Sequence, residues 1–456
     1  MTSSPPWLPF GILADDLTGA CDAGVRFSAR GARVRVCLGP DATPEPGEGW
    51  DVLVLQSGSR HLKADDAARA ARDGVRWLAG QGFPLGYKKI DSTLRGPLGA
   101  ELRGVMEAGA EALLVCPAFP VAGRTVAGGA LLVDGVPVHQ TSFGADVRDP
   151  VRESNLPALL RADAGVEANL LTLAQVRGEE GPLPALAGGM LGNLPAVIVA
   201  DAQEDRDLEA LAGALTGAPG LGPGRAAGVG SAGLASGMAA CLFPQAPPPT
   251  PPALPAGHTG VLAIVGSQHP VSREQVARLA AQDKTWHIEM DTAPLREAAA
   301  SGEAPTPGGR AGHNTAGVFT AMARGNHALV QSLARGLMQG ARVLLLSLPP
   351  PAPESSPEEN ARLAEYINRQ LSLFALESLS LLRPAALFCC GGDISQAVLA
   401  GLEIGSLQLG SELLPGIPLS WSLDGEMPGL RIVTKAGGYG GPDALCEVAD
   451  MLLAAE

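Results

Sequence analysis

A proline-rich run, FPQAPPPTPPALPAG at 243–257, constrains this chain more than any other feature. Proline lacks the amide donor and fixes φ, so the run can hold neither a helix nor a central strand and reads as an extended spacer. At 456 residues the chain is also too long for one ordinary core. The expected organisation is a first domain over 1–245, a spacer over 246–257 and a second domain over 258–456.

On both sides of the spacer, short apolar runs end in polar or glycine punctuation and are followed by helical periodicity. In the first half these runs fall at 10–13, 51–55, 85–90, 112–116 and 196–199, and in the second at 261–265, 343–346, 386–390 and 430–434. Alternating β and α units of this kind predict two α/β domains with mainly parallel sheets. ALLVDGVPVH at 130–139 breaks the rhythm, and Asp134 and Gly135 between its apolar stretches predict a hairpin with a two-residue turn. The stretch 292–313, rich in Ala, Gly and Pro, reads as a loop or insertion.

The formal net charge of −14 disfavours nucleic acid and anionic membranes as partners, because both select a basic face. No run reaches the roughly 18 apolar residues of a membrane span. The start, MTSSPPWLPF, lacks the basic and apolar regions of a signal peptide. The seven cysteines show neither CxxC pairing nor metal-ligand spacing. A reduced, cytoplasmic protein without a dedicated metal site is expected, and a homo-oligomer is left open. An anionic small molecule needs only a local cationic cluster, and the first half contains one.

PFGILADDLTGACDAG runs an apolar strand into Asp15 and Asp16 before a helix opens. Ligands of parallel α/β sheets sit beyond the carboxyl ends of strands, although both acids can equally serve as helix caps. Strand alternation predicts that only one of the two faces a ligand. YKKIDSTLRG places Lys89, Asp91, Ser92 and Arg95 at the end of another strand, with a helix beginning near Pro97. The two-residue period sets Lys89 and Asp91 on one face. A cation, a carboxylate and a guanidinium gathered there can bind an acid and orient its hydroxyl, or can form a structural ion pair. CPAFPVAGRT adds Arg124, which is either a further anion contact or a solvated loop arginine.

In the second half, VGSQHP, CGGDIS and KAGGYGG each place glycines where an apolar run turns into a helix. Each glycine costs conformational entropy, so three such turns point to a phosphate approaching the backbone. His269 in the first turn reads as a cap. GVGSAG at 228–233 also satisfies GxGxxG, but no convincing strand precedes it and the proline spacer lies where a ribose-binding acid belongs. A Walker A sequence is absent.

Taken in order, ADDLTGACDAG, Ser59-Arg60, KKIDSTLRGPLGAEL, CPAFPVAGRT, GVGSAGLA, VGSQHPVSREQ, GGD and TKAGGYG resemble the four-carbon acid sugar kinase family from Ala14 to Gly440. The resemblance implies an N-terminal domain that binds the sugar acid, a nucleotide-binding C-terminal domain and an active site in the interdomain cleft. It implies ATP and Mg2+ as cofactors and a small sugar acid as substrate. By matching motif, Asp15, Asp16, Arg60, Lys89, Asp91, Ser92 and Arg95 line the acid pocket, with Arg124 counted among the substrate contacts. Asp16 or Asp91 is the base or hydroxyl-orienting residue, and Lys89 and Arg95 hold the carboxylate or the transferred group. Ser267, Gly391, Gly392, Asp393, Ile394 and Gly437 meet the nucleotide. Two departures stand out: Ile394 replaces the usual Thr after GGD, and Gln56-Ser57-Gly58 replaces an acidic Asp-Thr-Asp lead.

Two other classes fit parts of the pattern. A nicotinamide-dependent oxidoreductase would use the glycine turns for pyrophosphate and consume no ATP. A non-catalytic two-domain small-molecule-binding protein would explain paired domains, but such proteins are generally exported.

Overall fold

The structure, a computed structural model, describes residues 7–45, 47–146, 149–183, 194–252, 257–300, 315–350 and 357–455. The chain divides into two compact units, one built from 1–250 with 408–410 and the other from 251–407 with 411–456. Residues 244–252 of the proline run carry no helix or strand, and 253–256 lie outside the described residues.

The first unit is built on β1 (Phe10–Ala14), β2 (Val34–Cys37), β3 (Val52–Gln56), β4 (Leu85–Lys89), β5 (Ala112–Cys116), β9 (Asn169–Leu171), β10 (Ala196–Ala200) and β11 (Ala226–Gly230). They lie in the order β2-β3-β1-β4-β11-β5-β10-β9, with parallel pairing throughout. Continuous apolar stretches such as FGILA and ALLVC are buried along their whole length, as strands covered on both faces must be. The helix Ala64–Gly80 turns Ala67, Ala71, Gly74, Val75 and Leu78 inward at helical spacing and carries Asp65 and Asp66 in its first turn.

A separate antiparallel sheet is formed by β6 (Arg124–Ala127), β7 (Ala130–Val133) and β8 (Val136–Pro137). Its β7-β8 hairpin turns at Asp134 and Gly135, with φ of 50° and 80°, as a two-residue turn of this hand requires.

β11 overturns one expectation. A strand does precede GVGSAG, and the helix Ala232–Leu242 follows it. AAGVG lacks large β-formers because its neighbours leave no room. A Cβ on Gly228 would meet Tyr87, one on Gly230 would collide with the Cys116 carbonyl, and one on Gly233 with the Ala118 carbonyl. These glycines serve close packing.

The second unit contains β12 (Val261–Val265), β13 (Thr285–Glu289), β14 (Val343–Ser347), β15 (Ala386–Cys390), β16 (Ser406–Leu414), β17 (Ile417–Ser422) and β18 (Arg431–Lys435). Their order is β13-β14-β12-β15-β18-β17-β16, parallel from β13 to β18, with β17 antiparallel to β18. Val261, Ala263, Val343, Leu345, Phe388 and Val433 contribute to its core. The expected loop at 292–313 is corrected in its first part, where Ala293–Ala300 is helical, and 301–313 lies outside the described residues. No helix among the described residues is long and apolar enough to cross a membrane.

Candidate active site

In the first unit the polar residues gather at the carboxyl ends of three adjacent parallel strands, β3, β1 and β4. Asp15 and Asp16 follow β1, Ser57 to Arg60 follow β3, and Lys89 to Arg95 end and follow β4. Alternation stops with the strand at Ala14, so the two acids do not point opposite ways. Both bind Arg60. Its Nε and Nη2 donate to Asp15 Oδ2 and Oδ1 at 2.9 and 3.0 Å, and its Nη1 reaches Asp16 Oδ2. Asp16 is also the N-cap of the helix Leu17–Ser28, accepting from the Gly19 amide at 2.7 Å. One carboxylate thus serves both as helix cap and as a partner of Arg60.

Burial pushes both carboxyls up, and the outcome differs. For Asp15, Arg60, Lys88 and Lys89 outweigh burial and hold it below the ordinary carboxylate range. For Asp16, burial and the neighbouring Asp15 prevail over Arg60, and the carboxyl is raised.

Lys89 is the last residue of β4, so Asp91 lies beyond the strand and the shared-face expectation does not apply. The buried Lys89 ammonium donates to the Ile90 carbonyl at 3.0 Å and forms no ion pair among the described residues. A Cβ on Gly19 would stand 2.7 Å from Asp16 Oδ1 and 3.1 Å from Lys89 Nζ, so that glycine keeps open the space these two groups border. A buried ammonium with one carbonyl partner is poised for an anionic ligand.

Asp91 is held by its own loop. Arg95 donates from Nε at 2.8 Å and from Nη2 at 3.2 Å, and the Thr93 hydroxyl adds a third bond. Burial is outweighed by Arg95 and Arg60, which hold the Asp91 carboxyl far below the usual range. The ion pair allowed for KKIDSTLRG is thus present. The half-buried Ser92 hydroxyl makes no hydrogen bond among the described residues. Arg124 and Arg95 both approach the Phe143 ring, at 6.0 and 5.7 Å from its centroid, which places Arg124 beside this constellation. Its buried Nε has no hydrogen-bond partner among the described residues.

Sequence reasoning missed a second, deeper layer. Lys88, fully buried, pairs with Glu101 at 2.9 Å, and Glu101 also accepts from the Ser59 hydroxyl. Ser59 bonds Ser57 at 2.7 Å, and Ser57 donates to the Ala14 carbonyl at 2.8 Å. The chain ties the loop carrying Arg60 to β1 and to the helix Leu98–Glu107. Ser57, one of the departures from the acidic lead, is a structural link in it.

In the second unit the glycine turns after β12, β15 and β18, three neighbouring strands, converge. Gly391, at φ 115°, caps the helix Gly392–Gly401, and a Cβ there would lie 3.6 Å from the Ser267 amide. A Cβ on Gly437 would collide with the Ser267 hydroxyl. Ile394 does not face this cradle freely; it is buried, and a Cβ on Gly266 would collide with it. Asp393 is exposed in the first helical turn. His269 caps the helix Pro270–Ala280 through Nδ1, which accepts from Val271 at 3.3 Å, and burial and Lys435 hold it below its ordinary pKa. Lys435, at the end of β18, is a buried ammonium whose pKa burial lowers.

Two mainly parallel α/β units, one ending its strands in a charged cluster and one in glycine turns, match known domains in that order. Residues 10–238 match the family described as a sugar-binding N-terminal domain, and 262–445 the nucleotide-binding C-terminal domain. Along 96% of both chains the protein is 31% identical to a D-threonate kinase of Salmonella typhimurium. It is 34% identical to a D-threonate kinase of Bordetella bronchiseptica over 97% of both, and 28% identical to a 3-oxo-tetronate kinase of Pseudomonas fluorescens over 97% of both. Solved structures from Haemophilus influenzae (TM-score 0.69, 97% of this chain and 100% of the other) and Salmonella typhimurium (0.73, 96% and 98%), each 21% identical, share the fold. The chain belongs to the four-carbon acid sugar kinase family.

Proposed function

We propose that this kinase transfers the γ-phosphoryl group of ATP to the terminal 4-hydroxyl of a four-carbon sugar acid. D-threonate is the first candidate, because the D-threonate kinases similar to it reach 31 and 34% identity over nearly the whole chain. The observation that carries the reading is the geometry around Arg60. One guanidinium binds Asp15 and Asp16, while the buried ammonium of Lys89 has no carboxylate partner among the described residues. That leaves a cation for the acid's carboxylate or the transferred group, and a raised carboxyl to take the hydroxyl proton.

Asp16 fits the base better than Asp91. A general base must accept a proton, and Asp91 is saturated by Arg95 and Thr93 while the carboxyl of Asp16 is raised by burial and Asp15. Arg95, Arg124 and Ser92 supply the remaining donors toward the acid.

The cradle fits a nucleotide. Gly391, Gly392 and Gly437 remove side chains where phosphates would approach, Ser267 supplies a hydroxyl, and the helix from Gly392 offers its amino end. Ile394 contributes packing under Gly266 and no hydroxyl. When bound, ATP supplies the phosphoryl group and magnesium neutralises its charge. Among the described residues no group of three metal-binding side chains is assembled, so magnesium would rest mainly on phosphates and water, with Asp393 as the protein carboxylate. Transfer requires the two bound ligands to come within reach during turnover.

The test is ADP release across D-threonate, L-threonate, D-erythronate and their 3-oxo relatives. The expected result is ATP-dependent turnover strongest with D-threonate. Absence of ADP release with every acid, or nicotinamide reduction in its place, defeats the reading.

A further inference from the structure

The turn after β18, Ala436 to Gly441, holds its carbonyls in an unusual way. Lys435 Nζ donates to Ala436 O at 3.0 Å and to Gly437 O at 3.2 Å. The Ser272 hydroxyl also donates to Gly437 O. Gln275 Nε2 faces three more carbonyls, Gly441 at 2.7 Å, Tyr439 at 3.1 Å and Gly440 at 3.3 Å. Ser272, Gln275 and Lys435 are all completely buried. Ser272 and Gln275 stand three residues apart, on one face of the helix Pro270–Ala280.

In a trans peptide the carbonyl and the following amide point opposite ways. Drawing the carbonyls of 436, 437, 439 and 440 inward therefore sends the amides of Gly437, Gly438, Gly440 and Gly441 outward. Those four amides have no hydrogen-bond partner among the described residues. Free carbonyls beside a polyphosphate would repel it, whereas free amides attract it. Lys435 does not serve the ligand directly, because its three donor directions go to two carbonyls and to Cys390 Sγ at 3.6 Å.

We infer that Lys435, Ser272 and Gln275 form a carbonyl clamp, a set of positioning residues that orients the 436–441 turn so that its amides bind the nucleotide's phosphates. This rests on reading the second domain as the nucleotide site and gives a role to three residues of the VGSQHPVSREQ and TKAGGYG motifs to which the resemblance assigned none. The clamp also gives the KAGGYGG glycines a common purpose. A side chain on Gly437 or Gly438 would meet Ser267 or His269 across the same turn.

Calorimetric titration of the full chain with ATP and with adenosine tests the inference, using Lys435→Met, Gln275→Leu and the milder Ser272→Ala. Each amide that loses its alignment forfeits a bond to a charged group, so ATP affinity should fall about 10- to 100-fold in Lys435→Met and Gln275→Leu. Ser272→Ala should show a smaller loss of the same kind. Adenosine affinity and sugar-acid binding should stay at the wild-type level, which a general packing defect would not allow. Unchanged ATP affinity in the variants, or equal loss of ATP and adenosine binding in folded protein, overturns the clamp. Failure of the unmodified chain to bind ATP at all defeats the nucleotide reading and the clamp with it.

Discussion

Arg60 grips Asp15 through two parallel bonds of 2.9 and 3.0 Å, although 45 residues separate them in the chain. Its remaining terminal nitrogen reaches Asp16. A planar fork makes this possible, and an ammonium cannot reproduce it. Arg60→Lys should keep the charge and lose the geometry, lowering kcat/KM for the sugar acid by about 100-fold, on the order of two charge-assisted bonds. ATP affinity, measured in parallel, should not change.

A Cβ on Gly19 would fall within reach of both Asp16 Oδ1 and Lys89 Nζ, at 2.7 and 3.1 Å. Alanine is favoured over glycine in a helix by about 1 kcal/mol, so Gly19→Ala is not expected to weaken the helix by propensity. Its methyl instead intrudes between the base and the cation. The expected outcome is a loss of at least about tenfold in kcat/KM, with a thermal midpoint near that of the unmodified protein. Full activity would show that no ligand group enters this space.

Lys88 and Glu101 are buried together, and removing one leaves the other charge without its counterpart. Glu101→Gln should destabilise the first domain by about 3–5 kcal/mol. Joint replacement by Met and Leu should cost less than that single change. Urea denaturation of the three proteins measures the difference, and equal losses would mean the pair contributes little through charge.

Stability should depend on pH through Asp91. Arg95 and Arg60 overcome burial and keep its folded-state pKa below the unfolded value, which is about 3.9. Its contribution is therefore fully present above that value and disappears as pH falls through the folded-state pKa. An Asp91→Asn variant lacks this contribution, so the stability gap from the parent should hold steady from pH 7 down to about 4 and narrow only below that. A constant gap in denaturation experiments would remove Asp91 from the acid response.

Much of this arrangement is legible in the sequence because it follows strand ends. FGILA, ALLVC, VLAIV and ALFCC announce their strands by continuous apolar runs, and the polar residues just beyond them mark where ligands belong. The hub role of Arg60 is not legible by periodicity, since its partners lie on a different strand connection and only the sheet order β3-β1-β4 unites them. Glu101 is hidden for a related reason. On the helix Leu98–Glu107 it looks like an ordinary first-turn acid, and only packing beside β4 reveals Lys88 as its partner. AAGVG escapes notice because the crowding of Tyr87 and Cys116 strips it of the side chains that advertise a strand. That Ile394 brings no hydroxyl is plain in the sequence, while its packing beneath Gly266 emerges only in the fold.

The place of β11 in its sheet bears on how the protein comes into being. Ala226–Gly230 pairs with β4 on one side and β5 on the other, yet ribosomes deliver it more than a hundred residues after either neighbour. Until then the nascent sheet has a gap at its centre, with two unpaired edges able to seek other strands. Fragments ending before Ala226 should accordingly be recovered as aggregates, whereas synthesis a little past Leu242 should suffice to close the seam.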